Sequence, residues 1–103
     1  MSDYTIEKRD HALHLTLTAD LTASVVPGLQ AALRTALGAD VTEVVADLSH
    51  TVMLDSSGIG LLIATSNALA KRGGRIRVVN VAPDILQLLQ SMRLTARLNT
   101  SGR

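Results

Sequence analysis

The sequence feature that most constrains the fold is a change of apolar spacing between residues 44 and 69. Residues 44–48 form a nearly continuous apolar run, which is typical of a strand covered on both faces. From Ile59 onward, apolar residues recur every three or four positions, which is the spacing of one face of an α-helix. The residues between these two stretches include Ser, His, Thr and Asp. A buried strand, a polar loop and a buried helix are therefore expected in this order.

The start of this helix carries more capping residues than one helix end needs. Asp55, Ser56 and Ser57 can each accept the first free backbone N–H groups as an N-cap. Gly58 and Gly60 follow, although a glycine inside a helix costs about 0.5 to 1 kcal/mol relative to alanine. A plain helix cap accounts for one such residue. The redundancy and the small residues favour a site at this helix end.

The rest of the chain alternates strands and helices around this central unit. Two strands, residues 4–8 and 11–18, are joined by a polar turn, and the second alternates Leu with His and Thr. The other expected elements are a helix capped by Ser24 that runs to Leu37, strands at residues 43–48 and 75–79, a helix from Pro83, and a brief strand at residues 96–98. The order β-β-α-β-α-β-α-β predicts an α/β domain with one mixed sheet and helical crossovers.

One domain is expected, because 103 residues are enough for a single core. The domain covers residues 1–103, with an ordered part at about 4–98 and a mobile tail at 99–103. The residues expected to form the core follow a strand or helix period that faces the sheet: Leu13, Leu15, Leu17, Leu29, Leu33, Val45, Leu62, Ile63, Val78, Leu88 and Leu89.

Composition narrows the class of protein. With 47% hydrophobic and 18% charged residues, the chain is expected to be globular. A net charge of +1 and the absence of Phe and Trp argue against nucleic-acid binding. No signal peptide is evident, and the longest uncharged stretch, residues 56–70, is too short for a bilayer and is interrupted by polar residues. We expect no membrane insertion and a cytoplasmic location.

No enzymatic motif stands out in the sequence. The nucleophile elbow, the phosphate-binding loop and the dinucleotide fingerprint are all absent, and the absence of cysteine excludes Cys-based zinc and redox sites. Ser57 has no evident base. Asp47, near a strand end, is expected to bond its own loop, and His11 and His14 point to opposite faces of a strand and so cannot pair on a metal. We expect no catalysis, no cofactor and no metal.

Several segments resemble the signature of the STAS domain family, and within it the bacterial anti-sigma factor antagonists. The resemblance covers roughly residues 6–98, and its most specific part is the Asp-Ser-Ser-Gly-Ile-Gly segment. One departure is at the turn after the second strand, residues 18–22, where many members carry a glycine and an acidic residue. The matching segments are Asp47-Leu48-Ser49, Leu54-Asp55-Ser56-Ser57-Gly58-Ile59-Gly60-Leu61-Leu62, Arg72-Gly73-Gly74 and Val78-Val79-Asn80.

This resemblance implies a regulator that switches partners. Ser57, the second serine of the pair, matches the phosphorylation acceptor of the family. The unphosphorylated chain would bind an anti-sigma factor with serine kinase activity, phosphorylation would release it, and a serine phosphatase would restore binding. Ile59 is expected either in the core or as an apolar anchor of the interface. The residues expected to form the partner-binding surface are Asp20, Leu21, Thr22, Asp55, Ser56, Gly58 and Ile59.

Two other functions remain open at this point. STAS domains also occur as accessory subunits of membrane transporters, and some relatives suggest a nucleotide-binding module or a weak nucleotidase. The intact serine pair favours the switch, because a transporter accessory needs no acceptor hydroxyl. The lack of a phosphate-cradling loop weighs against nucleotide binding.

Overall fold

The computed structural model describes residues 3–103, which form five strands and three helices. The predicted order of elements is confirmed, and with it the α/β fold class. Met1 and Ser2, which the sequence assigns to the same domain, lie outside the described residues. The elements are β1 (Tyr4–Arg9), β2 (Ala12–Leu17), α1 (Val26–Ala36), β3 (Glu43–Asp47), α2 (Ser56–Ala70), β4 (Arg75–Val81), α3 (Pro83–Ser91) and β5 (Thr100–Gly102).

The strands lie in the sheet in their chain order, from β1 to β5. β1 pairs antiparallel with β2, and every following pair is parallel. Each parallel pair is joined through one helix, and such crossovers are almost always right-handed. Because the chain moves across the sheet in a single direction, right-handed crossovers place α1, α2 and α3 on the same face. The domain therefore has two layers, with the helices on one side of the sheet.

This one-sided cover explains an error in the sequence-based expectation for β3. Val44 and Ala46 are buried, whereas Val45 between them is only half-buried. Val45 lies beside His14 of β2 and Arg77 of β4 in the register, on the helix-free face. The expectation that both faces of this strand are covered is wrong. An apolar run alone does not reveal that all helices lie on one side.

The core lies between this sheet and the helices. Eight of the eleven residues expected there are buried, whereas Leu88 is 38% exposed and Val45 and Ile63 are half-buried. Helix α3 packs over β5, the short strand at the sheet edge, and only the Ile85 and Leu89 side chains of α3 are deeply buried. Leu88 therefore lies outside the core. Ile63 is partly buried and packs against the core. The confirmed core residues are Leu13, Leu15, Leu17, Leu29, Leu33, Leu62, Val78 and Leu89.

The central helix α2 is apolar on most of its sides. It packs against both β4 and α1, and its buried residues include Ile59, Leu62 and Leu69. A helix with this pattern is a core helix of a globular fold. Neither α2, with 15 residues, nor the other helices described in residues 3–103 combine the length and apolarity needed to span a bilayer.

The last strand lies later in the chain than expected. Residues 96–98 form a turn, and the strand is Thr100–Gly102, inside the segment expected to be a mobile tail. After α3 the chain must return along the sheet before it can run parallel to β4. Asn99 secures this return, because its side-chain amide donates to the Ile76 carbonyl oxygen at 2.8 Å. Its left-handed backbone, with φ of 47°, turns the chain into β5.

The start of α1 also differs from the expectation. Pro27 lies in the first turn, as predicted, but the N-cap is Val25 and no side chain caps the helix. The Ser24 hydroxyl instead lies 3.2 Å from the Thr22 hydroxyl. The turn before α1 is held instead by the N–H groups of Val25 and Val26, which donate to the Thr22 carbonyl oxygen, and by a bond from the Ala23 N–H to the Asp55 carboxylate of the neighbouring loop.

Candidate functional site

Two segments meet at the carboxyl edge of the sheet. We call residues 18–25 the β2–α1 segment and residues 48–55 the β3–α2 loop. Because β2 and β3 are parallel neighbours, both segments leave the sheet at the same edge. Leu21 and Leu54 form an isolated parallel bridge, in which the Leu21 N–H donates to Met53 O at 3.1 Å. The structure therefore brings together the two stretches that the sequence assigns to partner binding.

Two carboxylates, one on each segment, fix the segments to each other, because each accepts backbone N–H groups of the other segment. Asp20, on the β2–α1 segment, accepts the backbone N–H groups of Val52 at 2.9 Å and Met53 at 3.1 Å. Asp55, on the β3–α2 loop, accepts the backbone N–H of Ala23 at 2.9 Å. We refer to Asp20 and Asp55 as the carboxylate clasp. Hydrogen bonds to a charged acceptor are the stronger kind, so the clasp holds the two segments in one arrangement.

Asp55 is also the N-cap of α2. Its Oδ1 accepts the Gly58 N–H at 3.1 Å, and the helix starts at the next residue, Ser56. The N–H groups of Gly58, Ala23 and Ser57 stabilise the ionised carboxylate and hold the pKa of Asp55 below its usual range. Of the three residues that could cap this helix, Asp55 fills the role. Capping therefore does not explain the two serines.

Ser56 and Ser57 occupy the first two positions of α2. Ser56 is exposed and Ser57 is half-buried, so both reach the surface beside the clasp. The first turn of a helix presents free N–H groups and the positive end of the helix dipole. A hydroxyl at this place can be covered by a partner, and an anion attached to it would be electrostatically tolerated.

Three of the residues expected to bind a partner lie inside the domain. Leu21 is fully buried, and Ile59 is 7% exposed, so the core alternative for Ile59 is the correct one. Gly58 is buried as well, and a Cβ on it would overlap the Leu21 carbonyl oxygen and lie 2.8 Å from Leu54 Cδ1. Close packing within the domain therefore accounts for this glycine. The remaining expected residues, Asp20, Thr22, Asp55 and Ser56, are exposed or half-buried.

The structure adds two surface residues that sequence reasoning missed. Val52 is 72% exposed and Met53 is 58% exposed, on the β3–α2 loop just before the serines. The only other large apolar side chains exposed within residues 3–103 are Leu88 and Met92 of α3. The sequence signal that could have identified them is that Val52 and Met53 fit neither the strand period nor the helix period of the neighbouring elements. Adjacent apolar side chains on a surface loop are typical of contact sites.

Asp47 bonds its own loop, as predicted. Its Oδ1 accepts the Ser49 N–H at 2.9 Å. Partial burial acts to raise the pKa of Asp47, but hydrogen bonds from Ser49 and from the Asn80 side chain outweigh burial, and the pKa lies below its ordinary value. Among the residues that the structure describes, no three His, Cys, Asp or Glu side chains are grouped closely enough to hold a metal ion.

Several basic side chains lie at the opposite edge of the sheet, where their hydrogen bonds and ion pairs stabilise the domain. The Arg72 guanidinium donates to the carbonyl oxygens of Gly38 at 2.6 Å and Val41 at 3.1 Å, and so anchors the turn after α1. Arg75 pairs with Glu43 at 3.0 Å. An open groove of about 790 Å³ lies there as well, lined in part by Arg75 and Glu43. The surface around Ser56 and Ser57, which we call the serine site, therefore lies at the other edge of the sheet from this groove.

Comparison with known proteins places the chain in a family. The family model described as Mlab, STAS domain, matches residues 4–99. The chain therefore belongs to the STAS domain family, and the resemblance expected from the Asp-Ser-Ser-Gly-Ile-Gly segment is confirmed. No curated protein matches the sequence closely enough to count as a relative.

Solved structures share this fold at low sequence identity. An anti-sigma factor antagonist from Mycobacterium paratuberculosis is 22% identical with a TM-score of 0.82, over 97% of this chain and 85% of that chain. The Bacillus cell fate determinant SpoIIAA, in its phosphorylated form, is 22% identical with a TM-score of 0.77, over 97% and 92%. A murine anion transporter, Solute Carrier 26 family member A9, is 15% identical with a TM-score of 0.73, over 93% of this chain and 17% of that chain.

Proposed function

We propose that this protein is a partner-switching regulator of the anti-sigma factor antagonist type, controlled by phosphorylation of Ser57. When Ser57 is unmodified, the carboxyl edge of the sheet binds a partner protein. The partner is an anti-sigma factor with serine kinase activity, which phosphorylates Ser57 and is thereby released. A serine phosphatase then removes the phosphate and restores binding. In this role the chain is cytoplasmic and performs no catalysis of its own.

One observation carries the proposal: Ser57 lies at the second position of α2, beside an exposed apolar pair, in a site whose capping role is already filled by Asp55. The site therefore has a hydroxyl that the fold does not require and a surface suited to contact. The likeness to anti-sigma factor antagonists supports the partner class, and a related structure exists in a phosphorylated form.

The accessible docking surface combines residues of both segments. Val52 and Met53 supply apolar area, and Ser56 and Ser57 are small enough to allow close approach of a partner backbone. The Asp20 carboxylate fixes the loop that carries the apolar pair. A loop held in place before binding loses less conformational entropy when the partner docks.

A phosphoryl group on Ser57 is sufficient to reverse this binding. It adds about −1.5 to −2 charges and three acceptor oxygens. The helix end tolerates this charge, so the domain stays folded. A partner packed closely over a neutral hydroxyl would instead cover an unpaired charge next to Asp55. A thousandfold loss of affinity needs only about 4 kcal/mol, which burial of one poorly paired charge can exceed.

A second candidate function is an accessory domain of a membrane transporter. The murine anion transporter supports this alternative, because about a sixth of that chain has the fold described above. In such a role the partner would be a transporter subunit, and the phosphorylation state of Ser57 would not change binding. The two functions therefore differ in one measurable property.

The deciding experiment starts with capture from a lysate of the native organism. Unmodified protein and the Ser57→Ala variant serve as bait, with Ser56→Ala as the matched control, and captured proteins are identified by mass spectrometry. The captured kinase is then purified and incubated with the unmodified protein and ATP, and the phosphorylated residue is mapped. We expect phosphate on Ser57 and release of the kinase.

Two outcomes would contradict the proposal. Phosphate on Ser56 alone would show that Ser57 is not the acceptor. Undiminished affinity after stoichiometric modification of Ser57 would remove the switching mechanism. Capture of a transporter subunit that binds the modified and unmodified protein equally would establish the second candidate instead.

A further inference from the structure

Asp55 connects the start of α2 to the β2–α1 segment through a single carboxylate. Oδ1 accepts the Gly58 N–H at 3.1 Å, and Oδ2 accepts the Ala23 N–H at 2.9 Å. The Gly58 N–H, which follows Ser57 directly in the chain, is thus already occupied, and the same carboxylate is bonded to Ala23 on the other segment.

A phosphoryl group on Ser57 would compete for these donors. An anion at a helix start is held by the free backbone N–H groups of the first turn. One of these groups, the Gly58 N–H, already donates to Asp55 Oδ1 at 3.1 Å. Two anions that seek the same donor repel each other at such short range. The phosphate carries the larger charge, so the Asp55 carboxylate is the weaker competitor for this donor.

The Asp55 side chain is the part of the site that can move. The helix start cannot shift toward the β2–α1 segment, because the Gly58 backbone is packed against Leu21 and Leu54. Leu21 is itself held by backbone bonds to Met53 and Asp55. The Asp55 residue, in contrast, is only half-buried. Its carboxylate can therefore rotate toward solvent without disturbing the core.

We propose that phosphorylation of Ser57 displaces the Asp55 carboxylate from the first turn of α2 and so releases Ala23 from the clasp. The inference rests on the proposed function, because it takes Ser57 as the phosphate acceptor. It makes Asp55 a positioning residue, which holds the exposed residues Ala23 and Ser24 in place only in the unphosphorylated chain. One modification thereby alters both segments of the docking surface.

The test uses the full chain with phosphoserine inserted at position 57 during translation, so that no kinase is needed. Amide exchange with solvent is measured by NMR in the modified and unmodified proteins. We expect the Ala23 amide to exchange about 10 to 100 times faster when position 57 is phosphorylated, which corresponds to the loss of one hydrogen bond to a charged acceptor. The pKa of Asp55, followed by its carboxyl carbon shift, should rise in the same protein.

Val52 and Met53 provide internal controls, because their amides donate to Asp20 and not to Asp55. Their exchange rates should stay unchanged. An unchanged rate at Ala23 would overturn the inference. Faster exchange at Ala23, Val52 and Met53 alike would overturn it as well, because it would show a general loosening of both segments.

The Asp55→Asn variant tests the same step without any phosphate. Asparagine can still cap α2, but its side chain has one acceptor oxygen in place of two and cannot hold both Gly58 and Ala23. The unphosphorylated variant should therefore show fast exchange at Ala23. Phosphoserine at position 57 should then add little, because both changes break the same bond. Additive acceleration would contradict the inference. The matched control Asp20→Asn should affect Val52 and Met53 while leaving Ala23 protected.

Failure of this inference is distinguishable from failure of the proposed function. A kinase that leaves Ser57 unmodified would refute the proposed function without changing the behaviour of the phosphoserine protein. A protected Ala23 amide in the phosphoserine protein would refute the displacement of Asp55, while partner release could still follow from charge alone.

Discussion

Gly58 lies so close to Leu21 that no side chain fits at position 58. A Cβ there would overlap the Leu21 carbonyl oxygen and come within 2.9 Å of Leu21 Cγ. The backbone of α2 thus packs directly on the β2–α1 segment. Gly60, two residues later, is exposed and a Cβ there would meet no atom within 4 Å. The two glycines of the serine site therefore have different roles.

This contrast gives a prediction for stability. Gly58→Ala should lower the free energy of unfolding by about 1 to 3 kcal/mol, because the added methyl group overpacks a closed contact. Gly60→Ala should raise it by about 0.5 to 1 kcal/mol, because alanine favours a helix. Urea unfolding of both variants decides the matter. Equal effects at the two positions would contradict the close packing of Gly58 on Leu21.

A second prediction compares two leucines on different helices. Leu62 of α2 is 2% exposed and Leu88 of α3 is 38% exposed. Leu62→Ala should lower the free energy of unfolding by about 2 to 5 kcal/mol, through lost burial and a residual cavity. Leu88→Ala should cost about 0.5 kcal/mol or less, as is usual for surface positions. A small loss at Leu62 would remove α2 from the core.

A third prediction concerns the apolar pair of the β3–α2 loop. Replacing Val52 and Met53 by alanine should weaken partner binding about tenfold or more, because truncation of central apolar contacts commonly costs over 1 kcal/mol. The thermal midpoint should hardly change, since both side chains are exposed. Isothermal titration with the purified partner measures the affinity.

The matched control for this pair lies on α3. Leu88 and Met92 are also large, apolar and exposed, but they lie on α3 and not on the loop beside the serines. Their double alanine variant should bind the partner with unchanged affinity. If both double variants lose affinity equally, the docking surface extends over α3 and is not confined to the serine site.

The local parts of the structure could be predicted from the sequence. The start of α2 follows from Asp55, because a capping residue and the helical spacing after it lie within a few positions of each other. The buried leucines of β2 follow equally from alternation along one strand. In both cases the determining residues are neighbours in the chain, so pattern and structure agree.

The features that were not predicted correctly depend on residues far apart in the chain. The half-exposed position of Val45 follows from the handedness of three crossovers, and the place of β5 follows from how the chain returns after α3. The outward position of Val52 and Met53 depends on Asp20, more than 30 residues earlier. Local patterns carry no information on such contacts, and Asp20 was assigned to the candidate site by family resemblance alone.

A fourth prediction follows from the lowered pKa of Asp55. Bonds from Gly58, Ala23 and Ser57 favour its ionised form in the folded state, so its folded pKa lies below the ordinary value of 3.8. A carboxyl with a depressed folded pKa stabilises the fold above the unfolded pKa, and this contribution is lost as the pH falls through the folded pKa. Its contribution should therefore be constant from neutral pH to about pH 5 and decline below about pH 4.

Urea midpoints of the natural protein and of Asp55→Asn, measured between pH 7 and pH 3, test this expectation. The difference between the two proteins should shrink toward the acid end, because both side chains are then uncharged. Asp3→Asn is a suitable control, since Asp3 is an exposed carboxyl outside the clasp. A difference that stays constant over the whole range would show that the charge of Asp55 does not contribute to stability.

The last prediction is a series of affinities at position 57. Ser57→Ala should bind the kinase partner as the unmodified protein does, and should stay bound in the presence of ATP, because it removes the acceptor hydroxyl and adds no charge. Ser57→Asp should bind more weakly, and phosphoserine most weakly. The order follows from charge, since a carboxylate carries one negative charge and phosphoserine about −1.5 to −2. The carboxylate also has fewer acceptor oxygens than a phosphate and a shorter reach toward the helix end.

Binding measured by titration with and without ATP should give this order of affinities, and the phosphoserine protein should bind about a thousandfold more weakly than the unmodified one. An Asp variant that binds as tightly as the Ala variant, together with tight binding of the phosphoserine protein, would show that charge at this helix end does not control the partner.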